Sequence, residues 1–446
     1  MVKSLEKSSK KAAEKVLDKP KSERIRVISH YDADGITSAA IICKTLRREG
    51  YDFHCSLMRN PFYQGLERVK KEKNDLIIFT DMGSGQIEFI ENMDSEAVIL
   101  DHHQPIKEET NDDIIQVNAH LHGFNGNSEA CGSTLAFSFA KAVDKNNFDL
   151  APLALAGATG DKQYIGGISG FNEMVLKEAV EAEIVERYTD LKFVDKNLFD
   201  SLYYSFDPFF PGISGDEEAI LELLEKLDLD KNSDVGSLDG KQRKKLRSYL
   251  MSNLVRNDVE KNILDTVIRE RFYSDRIGFE LEVFADILDS CGKSRNRGIG
   301  LSVCLGDKKS LDKALDVSKN FRERVLGELL ELKTKGAKEK KSIRYFYSGG
   351  ASIGGVVCGS AVNFIFDRRK PLICLRMMDD EIHVSCRGNH SLVEQGLDLG
   401  LAMKQAAEKV GGHGGGHNIA AGATVSADDK KKFLDLVDDI VFDQIK

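Results

Sequence analysis

Short apolar runs alternate with amphipathic segments through the first third of the chain. The runs at 24–29, 75–80 and 96–100 read RIRVIS, DLIIFT and EAVIL, and they are rich in β-branched residues. Runs of this length and composition are typical of buried strands, whereas the stretches between them carry apolar residues at helical spacing. We therefore predict an α/β fold in which strands and helices alternate and the helices cover both faces of a parallel sheet.

Carboxylates and imidazoles follow these apolar runs directly. HYDADG at 30–35, TDMG at 80–83 and LDHHQP at 100–105 begin where predicted strands end, and ATGD at 158–161 closes a further small-residue run. In an open parallel sheet, ligands gather beyond the carboxyl ends of the strands. The residues expected at that edge are His30, Asp32, Asp34, Asp81, Asp101, His102, His103 and Asp161.

This residue set suits divalent metal ions. Mixed imidazole and carboxylate ligands favour a borderline ion such as Mn²⁺, with Mg²⁺ as the alternative. A carboxylate shared by two ions would hold them about 3.5–4 Å apart, the arrangement that activates a water and neutralises charge on a phosphoryl group. A single Asp after a strand is often only a helix N-cap, so the joint occurrence of these residues is the informative feature. The predicted reaction is phosphoester hydrolysis.

The four strings resemble, in order and spacing, the phosphoesterase motifs of the DHH superfamily. The carboxyl-terminal portion resembles the DHH-associated domain that accompanies them, in GGASIGGVVCGSAV at 349–362, RRKPLICL at 368–375, HVSCRG at 383–388 and GGHGGGHNIAAGATV at 411–425. FADILDSCGKSRNRG at 284–298 resembles a diverged form of the segment that opens the second half of RecJ-type exonucleases. Within the superfamily the chain is most similar to the archaeal RecJ-like nucleases, which include one that binds the GINS complex of the replisome.

The resemblance implies roles for individual residues. The implied metal ligands are Asp32, Asp34, Asp81, His102 and Asp161. Asp81 would bridge two ions, and His103 would lie near the scissile phosphate. Asp101 is expected to orient a neighbouring imidazole, since a metal-bound histidine normally donates its other N–H to an acceptor. His30 is expected as a further ligand, although it stands two residues before Asp32, where several DHH phosphatases place a histidine four residues before.

The second half of the chain predicts a phosphate-binding surface. RYFYS at 344–348 is expected to be a strand that leads into a glycine turn and then a helix. GGHGGGH at 411–417 is expected to be a folded loop that presents successive N–H groups to phosphates, although such strings are also typical of flexible linkers. By resemblance, Arg387 would be the bidentate phosphate partner. The implied substrate contacts are Arg387, His413, Gly415, Gly416 and His417.

The chain, with 446 residues, is long enough for two cores. The resemblance implies two lobes, a parallel-sheet DHH catalytic domain and a smaller α/β DHH-associated domain, with a helical insertion between them. The expected division is a basic tail at 1–23, the DHH catalytic domain at 24–190, a helical insertion or connector at 191–275, and the DHH-associated substrate-binding domain at 276–446.

Composition bears on the binding partner and on the cellular compartment. The net charge is −9, but basic residues cluster in KQRKKLR at 241–247, KSRNR at 293–297 and RRK at 368–370, strings that fit either a nucleic-acid surface or a solvated face. Eight cysteines without a CxxC pair favour a reducing compartment. The sequence shows no signal-peptide pattern and no apolar run long enough to span a bilayer, which predicts a cytoplasmic protein without membrane association.

Three functions fit these residues. The first is an exonuclease that uses two Mn²⁺ ions to hydrolyse single-stranded DNA or RNA in replication or repair. The second is a phosphoesterase for a small substrate, such as a very short oligonucleotide, a nucleoside bisphosphate or a cyclic dinucleotide. The third is a replisome scaffold that binds a GINS component, because one DHH lineage lost its ligands and became part of the replicative helicase. The intact ligand set favours hydrolysis, and the insertion at 191–275 favours a polymeric substrate.

Overall fold

The computed structural model describes residues 1–59, 62–350 and 352–445. Ala351, within the glycine-rich string at 349–362, lies outside the described residues. The strands are β1 Ile25–His30, β2 Phe53–Met58, β3 Leu76–Thr80, β4 Glu96–Asp101, β5 Ile114–Asn118, β6 Glu186–Leu191, β7 Ile268–Ser274, β8 Phe279–Glu280, β9 Lys338–Glu339, β10 Arg344–Tyr347, β11 Leu372–Met378, β12 Glu381–Arg387, β13 His413–Gly416 and β14 Ala420–Ser426. The α-helices are α1 Val2–Leu17, α2 Ala33–Arg48, α3 Tyr63–Lys71, α4 Ile87–Ile90, α5 Gly132–Val143, α6 Ala151–Gly160, α7 Gly170–Glu181, α8 Leu198–Tyr203, α9 Glu217–Lys226, α10 Gly240–Arg256, α11 Lys261–Val267, α12 Leu281–Lys293, α13 Arg297–Cys304, α14 Lys308–Lys335, α15 Gly354–Phe364, α16 His390–Glu394, α17 Leu399–Glu408 and α18 Lys430–Gln444.

The chain folds into two compact units, and each unit is built from two separate stretches. The first unit comprises 1–190 and 269–319, and the second comprises 191–268 and 320–446. The expected boundary at 276 differs from this division, because 276–319 belongs to the first unit. The reason is that α12 packs against α2 and α6 of the parallel-sheet unit.

The first unit contains the predicted parallel sheet. Its strand order is β2-β1-β3-β4-β5, and each neighbouring pair is parallel. Leu76 and Ile78 of β3 pack into one hydrophobic core, whereas Ile77 and Phe79 pack into a second core. Both faces are therefore covered, which explains why the strand sequence is continuously apolar.

The carboxyl ends of three strands meet at one edge of this sheet. Ser29 of β1 is in register with Thr80 of β3, and Thr80 is in register with Leu100 of β4. The residues that follow each strand are consequently brought side by side. This edge is where the predicted metal ligands lie.

The amino-terminal stretch forms a packed helix, so the expectation of a basic tail at 1–23 is wrong for most of its length. Four of the five lysines of helix α1 are exposed, while Leu5, Ala12 and Val16 are buried in the main core of the first unit. The Tyr51 hydroxyl also donates to the Val16 carbonyl oxygen at 2.8 Å. The lysine-rich composition concealed an amphipathic pattern.

The second unit contains a six-stranded mixed sheet in the order β13-β14-β12-β11-β10-β9. Helices α8 to α11 of the 191–268 segment share one hydrophobic core with α14 and α15. Leu198, Leu246 and Leu250 belong to this core together with Val325 and Val357. The helical segment is therefore an integral part of the second unit rather than a separate attachment.

Within the glycine-rich string at 411–417, residues His413–Gly416 form the edge strand β13, whereas the sequence predicted a folded loop. β13 pairs antiparallel with β14, and the register joins His413 with Thr424 and Gly416 with Ala421. An edge strand uses only part of its N–H groups for pairing. Small side chains suit this strand, because a Cβ at Gly414 would lie 2.4 Å from the Met403 carbonyl oxygen.

Within the described ranges, no helix is both long and apolar enough to cross a bilayer. All eight cysteines are free, and Cys55 is the one that is not fully buried. The buried thiols pack as small apolar side chains.

Candidate metal centre

The turn after β1 brings His30 and Asp32 together. Asp32 caps the amino terminus of α2, because its Oδ1 accepts a hydrogen bond from the Gly35 N–H at 3.0 Å. Its other oxygen, Oδ2, lies 2.7 Å from His30 Nδ1. The same His30 atom is 3.6 Å from Asp81 Oδ2. These three side chains form the first potential ligand group.

Asp34 is fully buried in the first turn of α2. Its two oxygens accept hydrogen bonds from the first N–H groups of α5, with Gly132 N at 2.7 Å and Ser133 N at 2.9 Å. The positive end of the α5 dipole faces this carboxylate and stabilises its charged form. Asp34 is thus fixed in orientation by a helix about one hundred residues later in the chain.

Asp81 lies between two sets of potential ligands. It follows β3 directly, is 2 % exposed and has a positive φ of 54°. Its Oδ1 is 3.1 Å from His102 Nε2, and its Oδ2 faces His30. The two oxygens of one carboxylate therefore point to different neighbours, as a bridging ligand requires.

His102 and Asp161 complete the second group. His102 Nδ1 is 2.6 Å from the Gly126 carbonyl oxygen, so Nδ1 carries the proton and donates it. Its Nε2 is left facing Asp161 Oδ2 at 3.4 Å and Asp34 Oδ2 at 3.9 Å. Asp161 is the residue that ends helix α6, so its position derives from a helix rather than from a strand.

Asp101 and His103 form a separate pair at the rim of the site. Asp101 is fully buried, and its Oδ1 accepts the Nδ1–H of His103 at 2.8 Å. Its Oδ2 accepts the Ser84 N–H at 2.9 Å. The His103 side chain remains 55 % exposed. With Nδ1 held by Asp101, His103 Nε2 is the ring nitrogen that is available to a bound molecule.

The donor set fits divalent metal ions. Three groups of side chains have potential ligand atoms that all lie within 4.8 Å of one another. Asp81 belongs to two of these groups, and His102 also belongs to two. The groups are His30, Asp32 and Asp81; Asp34, His102 and Asp161; and Asp81, His102 and His103.

The charges of the site also fit a cation. Burial and the neighbouring Asp81 carboxylate raise the pKa of Asp34 to about 7. Burial and the Asp34 carboxylate likewise raise the pKa of Asp161 well above its usual value. Carboxylates crowded into a buried space repel one another, and divalent cations among them would relieve that repulsion.

Burial lowers the pKa of an imidazole and neighbouring carboxylates raise it, whereas burial and neighbouring carboxylates both raise the pKa of a carboxyl group. Burial alone would lower the pKa of His102, but its hydrogen bond to Asp81 and the charge of Asp161 raise that pKa well above its usual value. Burial also opposes the shift at His103, whose pKa is raised by Asp101. For Asp101, burial would raise the pKa, but His103 lowers it below its usual range. Each member of the Asp101–His103 pair therefore stabilises the charged form of the other.

The structure brings all eight predicted edge residues together, and it adds four contacts that we did not predict. These are the Gly126 carbonyl, the Gly132 and Ser133 N–H groups, and Asp289 of α12, whose Oδ1 accepts the Ala33 N–H at 2.8 Å. The string ACGS at 130–133 carried a signal for the Gly132 and Ser133 contacts, since small residues opening a helix are typical of an anion-binding N-terminus. The Asp289 contact joins segments too distant for sequence patterns to reveal.

The predicted substrate contacts lie in the second unit. Arg387 ends β12 and is in register with Ala420 of β14. The His417 N–H donates to the Ala420 carbonyl oxygen at 2.8 Å, so His417 lies at the same end of the sheet as Arg387. His413 starts β13, three residues before Gly416, which places it about 10 Å further along the strand. Arg387, Gly416 and His417 thus share one end of the sheet, and His413 does not.

The Arg387 guanidinium lies beside the amino terminus of α15. A Cβ added at Gly355 would lie 3.0 Å from Arg387 Nη2. Arg387 Nη1 also donates to the Cys386 carbonyl oxygen at 2.8 Å. A guanidinium beside free helix N–H groups is a suitable environment for an anion.

Three family models match this chain. The DHH family N-terminal domain matches 24–158, the DHH-CID domain matches 195–268, and the DHHA1 domain matches 342–442. The chain is also 31 % identical over 452 residues to an uncharacterised protein of Methanocaldococcus jannaschii, with 100 % of this chain and 99 % of that protein covered. The DHH-CID match covers the helical segment for which the sequence suggested no motif.

Solved structures share the fold at low identity. RecJ from Thermus thermophilus in complex with Mn²⁺ is 17 % identical with a TM-score of 0.61, over 98 % of this chain and 55 % of that one. A second RecJ exonuclease bound to manganese is 17 % identical with a TM-score of 0.57, over 98 % of this chain and 94 % of that one. CDC45 from Entamoeba histolytica is 12 % identical with a TM-score of 0.65, over 97 % of this chain and 99 % of that one. The chain thus spans about half the length of the Thermus RecJ chain.

Proposed function

This chain belongs to the DHH superfamily of phosphoesterases, and we propose that it is a metal-dependent exonuclease that removes nucleotides from single-stranded DNA or RNA. The observation that carries the proposal is the position of Asp81, whose two oxygens face different ligand groups. His30 and Asp32 would hold one Mn²⁺ or Mg²⁺ ion together with Asp81. Asp34, His102 and Asp161 would hold the other.

The protein residues contribute position and charge to hydrolysis. Two bound divalent ions would supply an activated water and neutralise charge on the phosphoryl group. The Gly126 carbonyl and the α5 N–H groups hold His102 and Asp34 in fixed orientations. His103, whose protonated form Asp101 favours, would donate its other ring N–H to a phosphate oxygen.

The second unit supports a polymeric substrate. Arg387 and the α15 amino terminus form an anion-suited surface in the second unit, whereas the candidate metal ligands belong to the first unit. A mononucleotide needs one phosphate site, whereas a strand needs contacts along its backbone. We therefore assign the strand's phosphates to Arg387, Gly416 and His417 rather than to the metal centre alone.

End-labelled single strands of DNA and RNA, in several lengths and with Mn²⁺ or Mg²⁺, test the proposal. We expect a ladder that shortens to mononucleotides, and we expect a blunt duplex to resist. Cleavage limited to the shortest oligonucleotides would favour the small-substrate phosphoesterase instead. A protein that binds Mn²⁺ but cleaves no strand of any length would refute hydrolysis of nucleic acid.

A replisome partner of the GINS type is a second proposal, and it concerns the 191–275 segment. Leu221 of α9 and Val255 of α10 are exposed apolar side chains on this segment. Deletion of 200–270 would open the core that the segment shares with α14 and α15, so surface variants are the better test. Leu221→Glu with Val255→Glu should abolish recovery of GINS subunits with the tagged protein from its native host. Recovery of no GINS subunit with the wild-type protein would rule the partner out.

A further inference from the structure

A cleft in the second unit carries positive charge without a counter-ion among the described residues. The cleft has a volume of about 530 Å³ and lies between the end of α9 and one face of α10. Its described lining includes five cations and no carboxylate residue. The cations are Lys226, Lys241, Lys244, Lys245 and Arg256.

These cations are unpaired in the described part of the chain. No described carboxylate oxygen lies within 4.0 Å of any of the five, and Lys226 instead lies with its Nζ 5.3 Å from the Tyr249 ring centroid. The basic string at 368–370 behaves differently. There Arg369 lies 2.9 Å from Asp367, and Lys370 lies 2.8 Å from Glu339. The basic residues at 369–370 are thus neutralised by neighbouring carboxylates, whereas the lysines at 241–245 are not neutralised by any described one.

The cleft residues of α10 form a continuous row along one face of the helix. Positions 241, 244, 245, 248, 252 and 256 recur at intervals of three or four, which places them on the same side. With a rise of 1.5 Å per residue, the row from Lys241 to Arg256 is about 22 Å long. It includes the hydroxyls of Ser248 and Ser252, which can donate hydrogen bonds to anionic oxygens.

We infer that this cleft binds the sugar–phosphate backbone of single-stranded nucleic acid, as a second contact surface besides the Arg387 region. Four of the five cations are lysines, and a lysine ammonium binds a phosphate as a point charge. Bidentate binding of a carboxylate favours the planar guanidinium of arginine instead. The Tyr249 ring at the cleft offers a stacking surface for a base. An acidic protein segment is the other polyanion, and competition by poly-glutamate distinguishes it from nucleic acid.

The inference rests on the proposed function only for the identity of the polyanion. Binding of a labelled single-stranded oligonucleotide is therefore measured with full-length protein in EDTA, where no hydrolysis occurs. The test variant carries Lys241→Gln, Lys244→Gln and Lys245→Gln. The matched control carries Lys308→Gln, Lys309→Gln and Lys313→Gln, three exposed lysines of α14 with the same change in net charge.

We expect the test variant to bind at least about tenfold more weakly at low salt, with the slope of log K against log salt reduced by about 2, since each lost phosphate contact on a single strand removes about 0.7. The control variant should keep the wild-type affinity and slope. Equal weakening in both variants, or in neither, would overturn the inference. Competition by poly-glutamate as effective as that of an unlabelled oligonucleotide of equal charge would also overturn it, and would assign the cleft to an acidic protein.

The result stays separate from the outcome for hydrolysis. Cleavage of a dinucleotide with Mn²⁺ should be equal in the wild type and in the test variant, because the cleft residues do not belong to the metal centre. Loss of binding with retained dinucleotide cleavage supports the cleft. If the test variant binds the oligonucleotide as tightly as the wild type does, the cleft is refuted. If the wild type cleaves no nucleic acid, the proposed reaction is refuted, whatever the binding result.

Discussion

Asp81 combines a charged side chain with an unusual backbone. Its φ of 54° lies in the left-handed region, which Asn and Asp tolerate better than most residues. An alanine at this position would add about 1–2 kcal/mol of backbone strain to the loss of the carboxylate. Asparagine keeps the shape and the backbone preference, so it separates the loss of charge from a loss of folding.

The first prediction is that Asp81→Asn removes hydrolysis and leaves the fold intact. A bridging carboxylate supports both ions, so its loss should cost several kcal/mol of transition-state stabilisation, or about 10³-fold in rate. Asp161→Ala and His102→Ala should have nearly the same effect. Strand cleavage and bound Mn²⁺ are measured, with Asp94→Ala, an exposed carboxylate of the same unit, as the control. Activity of Asp81→Asn within a few-fold of wild type would contradict the two-metal assignment.

The ionisable residues also predict how metal stabilisation depends on pH. Asp34 has a folded-state pKa of about 7 without metal, whereas an unfolded Asp titrates near 3.8. A raised pKa contributes stability that is complete below the unfolded pKa and is lost as the pH rises through the folded pKa. The raised pKa of His102 acts in the same direction. The metal-free protein should therefore lose stability as the pH rises through 7.

Metal binding requires deprotonated ligands, so the rise in Tm caused by Mn²⁺ should grow with pH. At a pH below a ligand's pKa, displacing its proton weakens the free energy of Mn²⁺ binding by about 1.4 kcal/mol for each pH unit of difference. Thermal unfolding with Mn²⁺ and with EDTA, from about pH 6 to about pH 8, measures the difference. A rise in Tm that is the same at every pH would show that no ligand is protonated in the metal-free protein.

At the scale of elements, α12 supports the loop that carries the proposed ligands His30 and Asp32. A Cβ at Gly292 would lie 2.0 Å from the Tyr31 carbonyl oxygen, so helix and loop touch through their backbones. Gly292→Ala must shift one of them, and we expect a loss of about 1–3 kcal/mol in unfolding free energy together with weaker Mn²⁺ binding. Calorimetric titration with Mn²⁺ measures the second effect.

Gly298→Ala on the neighbouring helix α13 is the matched control, because a Cβ there meets nothing within 4 Å. It should leave Mn²⁺ binding unchanged and stabilise the helix by at most about 1 kcal/mol. If both variants bind Mn²⁺ like the wild type, the contact of α12 with the loop does not position the ligands.

Helix α1 should contribute strongly to stability. Leu5 is fully buried in the main core of the first unit, so Leu5→Ala should cost about 2–5 kcal/mol of unfolding free energy. Lys7→Ala, on the exposed side of the same helix, should change it by no more than about 0.5 kcal/mol. Denaturant unfolding followed by circular dichroism compares the two. Equal stabilities would mean that the helix packs only loosely.

The sequence predicts the strands and the residues beyond their ends, because both depend on patterns a few residues long. Parallel pairing then brings Asp32, Asp81 and His102 to one edge without further information. Contacts between distant segments leave no such pattern, and the bond from Ala33 to Asp289 is one of them. The same reason explains the error at α1, whose partners in the core lie far along the chain.

At the scale of the whole molecule, the proposed metal ligands and the proposed phosphate contacts belong to different units. Arg387→Ala should weaken strand binding by about 1.5–3 kcal/mol, the range for a charged hydrogen bond, without changing the bound metal. The control is Arg369→Ala, an exposed guanidinium of the same unit that is paired with Asp367. Strand affinity in EDTA and metal content by mass spectrometry are measured. Unchanged affinity with normal metal content would show that the glycine-rich region does not grip the strand.

The hydrogen bond between the Ala33 N–H and Asp289 also limits when the candidate metal centre can form during translation. The two residues are separated by 256 positions, and at about 5–20 residues per second the ribosome needs roughly 13–50 s to cover that distance. During this interval the aspartates of the first loop emerge without the helix that later holds them. This hydrogen bond can form only after the whole of the second unit's first stretch, 191–268, has been translated, so we expect metal loading to follow synthesis of that stretch rather than accompany the first strands.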